Sequence, residues 1–125
     1  MKMITVKLQG VEVQAALLSP NVMKKVEKGF TKTVLEIEKI ARTSEAPESA
    51  QVRKQCKAVI DYVTDIFGAD GAVKIFGGEA DYLTCLDVLE EMQRMYPEQV
   101  APVLRAKNAQ IRANVEKANA KEGAK

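Results

Sequence analysis

Residues 3–16, "MITVKLQGVEVQAA", decide how the chain begins to fold. Apolar and polar residues alternate on both sides of Gln9-Gly10, which is the period of a half-buried strand. Taking Gln9 and Gly10 as the two turn residues gives apolar pairs on one face and polar pairs on the other: Leu8 with Val11, Val6 with Val13, Ile4 with Ala15, Lys7 with Glu12 and Thr5 with Gln14. The stretch therefore predicts a β-hairpin with one apolar face.

A two-stranded hairpin is marginally stable in water by itself. We therefore expect helices to cover its apolar face. Its two outer edges stay available to another chain unless something covers them, which is a first indication of an interaction protein.

Three helical stretches follow the hairpin. The first begins with Ser19 as N-cap and Pro20 at the first helical position, and its predicted buried stripe is Val22, Val26, Phe30, Val34, Ile37 and Ala41. The second covers about 48–67 and ends at Gly68, with the stripe Val52, Cys56, Val59, Ile60, Val63, Ile66 and Phe67. The third covers about 81–95, with Asp81 as its cap and the stripe Tyr82, Leu86, Leu89 and Met92. The predicted fold class is mainly α with an N-terminal β-hairpin (α+β), a small bundle of three to four long helices.

The helical pattern is predicted to break at Pro97, because a residue before proline, here Tyr96, is pushed out of the α region. The remainder is helical by composition, and its apolar stripe is thin: Leu104, Ile111 and Val115. The sequence thus divides into a hairpin with a helical core, 1–96, and a basic C-terminal helix, 97–125, that is exposed or docks on a partner.

The stretch "FGADGAVKIFGG", residues 67–78, raises the question of a ligand loop. A phosphate loop needs four residues between its first glycines, whereas Gly68 and Gly71 are separated by two. A calcium loop aligned on Gly71 would place Ile66 first and Gly77 twelfth, and neither side chain ligates calcium. The stretch is therefore predicted to connect two helices through a short helical turn at 71–76, with Phe67, Ile75 and Phe76 packed on the core.

The residue types argue against an enzyme. The chain has no histidine, which removes Ser-His and Cys-His nucleophile pairs and every histidine-based metal site. Cys56 and Cys85 are 29 residues apart and form no CxxC motif, so we expect reduced core thiols rather than a zinc site or a disulfide. The paired carboxylates, Asp61 with Asp65 and Asp87 with Glu90 and Glu91, read as solvated helix faces. No catalytic residue, metal or cofactor is predicted.

The net charge of +2 conceals three blocks. Residues 1–42 and 101–125 each carry a net +4, and residues 43–100 carry −6. Such blocks steer self-association or a charged partner, or they are solvated helix faces that differ by chance. Nucleic acid is not the expected partner, because the basic C-terminal residues have no aromatic neighbours to stack bases. Without a long apolar segment or signal-peptide core, a cytosolic protein that avoids the membrane is expected.

Three stretches together resemble a known family: "LQGVEVQAALLSPNVMKKVEKG", "VIDYVTDIFGADGAVKIFGG" and "YLTCLDVLEEM". Their order is similar to that of small siphophage and prophage proteins of Gram-positive bacteria, encoded near the tail-morphogenesis genes and described as tail assembly chaperone-like. The resemblance covers residues 4–95, so nothing transfers from it to the basic C-terminal helix.

The resemblance implies a non-catalytic protein in the bacterial host cytoplasm that binds the tape-measure or tail-tube protein and often self-associates. The alternatives are a phage-encoded inhibitor or modulator of a host protein, and a structural tail or connector component. The residues expected to contact partners come from the hairpin, the glycine-containing connection and the C-terminal helix: Ile4, Val6, Leu8, Val11, Val13, Phe67, Phe76, Leu104, Arg105, Ile111 and Arg112.

Overall fold

A computed structural model describes residues 1–43 and 45–123 of the chain. Strands β1 (Ile4–Leu8) and β2 (Val11–Ala15) are followed by helices α1 (Pro20–Thr43), α2 (Glu48–Phe76) and α3 (Tyr82–Met95). A π-helical turn, Tyr96–Val100, then leads into α4 (Ala101–Gly123). The predicted class, mainly α with an N-terminal hairpin, is confirmed.

The hairpin has the predicted register. The two strands are antiparallel, with Leu8 opposite Val11, Val6 opposite Val13 and Ile4 opposite Ala15. Both turn residues have positive φ, 52° at Gln9 and 75° at Gly10, as a type I′ turn requires.

Helix α2 lies at the centre of the core, where it contacts α1, α3 and β2. Its inner side chains Val59 and Val63 are fully buried, as are Leu8 of the hairpin and Met92 of α3. The helix is interrupted at Gly68, whose φ of 81° and ψ of 170° lie outside the helical region. Glycine suits this position because a residue with a side chain rarely adopts such a φ. The helix end predicted at Gly68 is therefore a kink, after which the chain is helical again as far as Phe76. Phe67 and Ile75 on either side of the kink are buried, and Phe76 packs against the core.

Two hydrogen bonds from buried side chains hold α1 to α2, and the apolar stripe did not predict them. The Tyr62 hydroxyl donates to the Val26 carbonyl at 2.7 Å, and the Gln55 amide donates to the Ile37 carbonyl at 3.1 Å. Both side chains are buried. At the edge of the core, the stripe prediction was wrong for Ala41 and Leu86, which are exposed.

The predicted break at Pro97 is wrong. Tyr96 has φ −63° and ψ −53°, which is helical, and the Ala101 N–H donates to the Tyr96 carbonyl five residues back. A proline in an α-helix clashes with the carbonyl four residues earlier, and widening the turn to the π form relieves that contact. The helical backbone therefore continues from α3 through Pro97 into α4 without a break.

Candidate protein-interaction surface

The π-helical turn fixes the base of α4 to the hairpin. The Tyr96 hydroxyl donates to the Leu17 carbonyl at 2.7 Å, and Val100 is buried. Gln99 makes two bonds with one residue of β1: its Oε1 accepts from the Lys7 N–H at 2.7 Å, and its Nε2 donates to the Lys7 carbonyl at 2.8 Å. These contacts hold the start of α4 in one direction relative to the core.

Gln99 also changes what the hairpin offers to another chain. Because the Lys7 backbone groups point away from β2, they belong to the outer edge of β1, and the Gln99 amide occupies them as a neighbouring strand would. The Glu91 carboxylate accepts from the Gln9 N–H, at 3.0 Å for the nearer oxygen, and from the Gln9 side-chain amide. Within the described residues, the outer edge of β2 at Glu12 and Gln14 carries no such cover. Gln99 thus covers the edge of β1 at Lys7, whereas no such bond reaches Thr5 among the described residues, and the edge of β2 is the less covered of the two.

Beyond this base, α4 leaves the core. Every side chain from 102 to 121 is exposed, and over its 23 residues the helix extends about 34 Å. Its large apolar residues remain in contact with solvent, with Ile111 and Val115 each about half exposed (52% and 53%). Arg105 and Arg112 lie on the same exposed helix. These are the partner residues predicted for the C-terminal region, and the structure brings them onto one accessible element.

The partner residues predicted in the hairpin and the connection lie elsewhere. Val6, Leu8, Val13 and Phe67 are buried in the core. Ile4, Val11 and Phe76 are half-buried and pack against it. Their apolar side chains contact the protein's own helices, which leaves a partner no access to the four buried ones.

Two further surface features lie outside the hairpin edge and α4: a cleft between α1 and α2, and the cap of α3. An open cleft of about 830 Å³ runs between α1 and α2, and its charges are partly paired: Lys57 lies 2.7 Å from Asp61, and Lys25 lies 3.6 Å from Asp65. In residues 1–43 and 45–123, no group of three Cys, Asp or Glu side chains is placed to hold a metal ion. Asp81 caps α3 by accepting from Thr84, and these hydrogen bonds lower the pKa of its carboxyl.

Cys56 and Cys85 are buried free thiols on α2 and α3. Burial, together with a hydrogen bond to Cys56, raises the pKa of Cys85 from 9.0 to about 12. A buried thiol that stays protonated is a poor nucleophile, so Cys85 acts in packing, and Cys56 is buried beside it in the same core.

The fold defines a small α+β protein whose hairpin and three helices form a head and whose fourth helix extends from it. The chain belongs to the DUF6673 family, a family of unknown function, whose model matches residues 9–122. No curated protein and no solved structure matches it. Across the described residues, none of the helices has the length and apolar character needed to cross a membrane.

Proposed function

We propose that the protein is a non-catalytic assembly factor that binds the tape-measure or tail-tube protein of a phage in the cytoplasm of the bacterial host. The observation that carries the binding role is the exposure of α4 along 102–121. The phage setting comes from the resemblance of residues 4–95 to tail assembly chaperone-like proteins.

An exposed helix of this length adds little to the stability of the fold. Helices in proteins gain most of their stability by packing an apolar face, and α4 packs only at its base. Six alanines among its 23 residues raise its helix propensity, so the helix is formed before a partner arrives. A preformed and anchored helix loses little conformational entropy on binding, which favours association.

The proposal also includes self-association, for which the uncovered edge of β2 is the available strand. Adding a strand from a second copy at Glu12 and Gln14 would satisfy their outward backbone groups. This contact leaves α4 free for the tail protein.

Co-expression with the tape-measure and tail-tube proteins encoded in the same genome tests the proposal. We expect one of them to become soluble and co-elute with this chain. Ile111→Asp should abolish co-elution, because it places a charge in the apolar stripe of α4. Ala113→Asp, on the opposite side of the same helix, is the matched control and should not.

Three results would contradict this proposal. Tail proteins that stay insoluble, or that co-elute equally with Ile111→Asp, would show that α4 does not bind them. Retention of the chain in purified virions would indicate a structural tail or connector component. Capture of a host enzyme in place of a tail protein would indicate a modulator of the host.

A further inference from the structure

The apolar stripe of α4 has the spacing of a coiled-coil seam. Leu104, Asn108, Ile111, Val115 and Ala118 follow one another at intervals of four, three, four and three residues. These are alternating d and a positions of a heptad, in which helices pack side by side. Because the whole of 102–121 is exposed, no part of the head competes for this seam.

The residues that flank the seam carry only positive charge. One flank consists of Arg105, Arg112 and Asn119, and the other of Lys107, Asn114 and Lys121. Flanking positions of this kind select partners through opposite charges. The acidic residue Glu116 lies away from the seam, at the b position.

These flanks disfavour a second α4 as the occupant. In a parallel pair Lys107 faces Arg112 of the other copy, and in an antiparallel pair each flank meets its own kind. Like charges at such positions are destabilising. The outer face of α3 is also a poor occupant, because its exposed apolar part, Leu83 and Leu86, is much shorter than the seam.

We propose that α4 pairs with an amphipathic helix of another protein whose apolar seam is flanked by acidic residues. This deepens the proposed function, on which it rests for the existence of a protein partner, by naming the surface that the partner presents. Asn108 adds a specificity element, because an amide inside an apolar seam stabilises the register in which it meets another polar side chain.

Binding of two synthetic helices to the full-length chain, measured by fluorescence anisotropy, tests the inference. Both probes carry leucine seams with one asparagine to face Asn108, and they differ only in glutamate or lysine flanks. We expect the glutamate probe to bind at least about tenfold more tightly, and its affinity to fall as salt is raised from about 50 to about 500 mM.

A pair of variants with the same charge change locates the contact. Arg112→Glu lies on the flank and should weaken binding of the glutamate probe several-fold. Lys117→Glu lies away from the seam and should change the affinity for that probe by less than about twofold. Circular dichroism confirms that each variant keeps its helical content.

The inference is overturned by equal binding of the two probes, by equal effects of the two variants, or by a dimer of the chain alone that Ile111→Asp converts to monomer. A tail protein that co-elutes with the chain and whose affinity for it is unchanged by Arg112→Glu would reject the acidic helix and keep the proposed function. Binding of the glutamate probe without co-elution of any tail protein would keep the acidic helix as the preferred partner surface and reject the tail protein as the partner.

Discussion

Gly29, in the middle of α1, faces the ring of Tyr62 on α2. A Cβ added at Gly29 would lie 2.7 Å from Cε1 and 2.8 Å from Cδ1 of that ring. The ring has little freedom to move away, because Tyr62 is buried and its hydroxyl donates to the Val26 carbonyl at 2.7 Å. Replacing Gly29 with alanine therefore requires either that the Tyr62 ring moves or that α1 and α2 move apart.

The magnitudes decide the sign of the effect. Glycine-to-alanine in a helix interior gains up to about 1 kcal/mol of helix stability. Overpacking a core costs about 1–3 kcal/mol, and losing the bond of the buried hydroxyl adds about 1–3 kcal/mol if the ring is displaced. With the ring displaced, the two costs together exceed the gain, and we expect Gly29→Ala to lower the free energy of unfolding by about 1–5 kcal/mol.

Urea denaturation followed by far-ultraviolet circular dichroism measures this change. Thr31→Ala, on the exposed side of the same helix, is the control and should be neutral or stabilising by a few tenths of a kcal/mol, roughly. In a Tyr62→Ala background the ring is absent, and Gly29→Ala should then become stabilising. A Gly29→Ala protein as stable as the wild type would refute the close-packing argument.

Three further predictions concern the base of α4, the buried thiol and α4 itself. Gln99→Ala removes both bonds to Lys7 and should cost about 1 kcal/mol and speed hydrogen exchange at the Lys7 amide, whereas Gln93→Ala, exposed on α3, should change neither. The folded chain keeps the Cys85 proton, whose pKa burial raises from 9.0 to about 12, while the unfolded chain releases it near pH 9. The free energy of unfolding measured in urea should therefore fall as the pH rises from 9.0 towards about 12, and it should fall less in Cys85→Ala. Because burial also raises the pKa of Tyr62 and adds a loss of the same sign, equal falls in the two proteins would contradict the role given to Cys85. Trypsin should cut first at the basic residues of α4 and leave a resistant head, and early cleavage within α1 or α2 would show that the head is the less stable part.

The hairpin was predictable because its signals are local. Its strands alternate with a period of two, and the turn falls at the only glycine within residues 1–28. A shift of one residue would have turned the apolar face towards solvent, so the pattern admits one register.

The π-helical turn and its bonds were not predictable from the same kind of signal. The rule for a residue before proline describes an average backbone, and Tyr96 departs from it because its hydroxyl bond to Leu17 and the burial of Val100 hold the turn in place. Gln99 and Lys7 lie 92 positions apart, and no local pattern predicts that the Gln99 side chain will bond to the edge of β1.

The exposure of the candidate interaction residues could be predicted only in part, for a related reason. An apolar stripe shows that a face is covered, but it does not say whether the cover is the same chain or another. Val6, Leu8 and Val13 form such a stripe and are covered by the head, whereas Leu104 and Ile111 form one and remain exposed. What separates the two cases is the number of helices that the tertiary fold places beside each stripe.

The division between head and α4 has a consequence for how substitutions act. Contacts that stabilise the head, such as that of Gly29 with Tyr62, lie between α1 and α2, which do not pack against α4, so changes there should alter folding and leave the exposed seam of α4 intact. Changes at Ile111 or Arg112 remove no buried contact, since both side chains are exposed, so under the proposed function they should weaken binding without unfolding the head. Effects at independent sites add. If the proposed binding by α4 is correct, combining Gly29→Ala with Arg112→Glu should therefore give the stability loss of the first variant and the affinity loss of the second, with neither enlarged by the other.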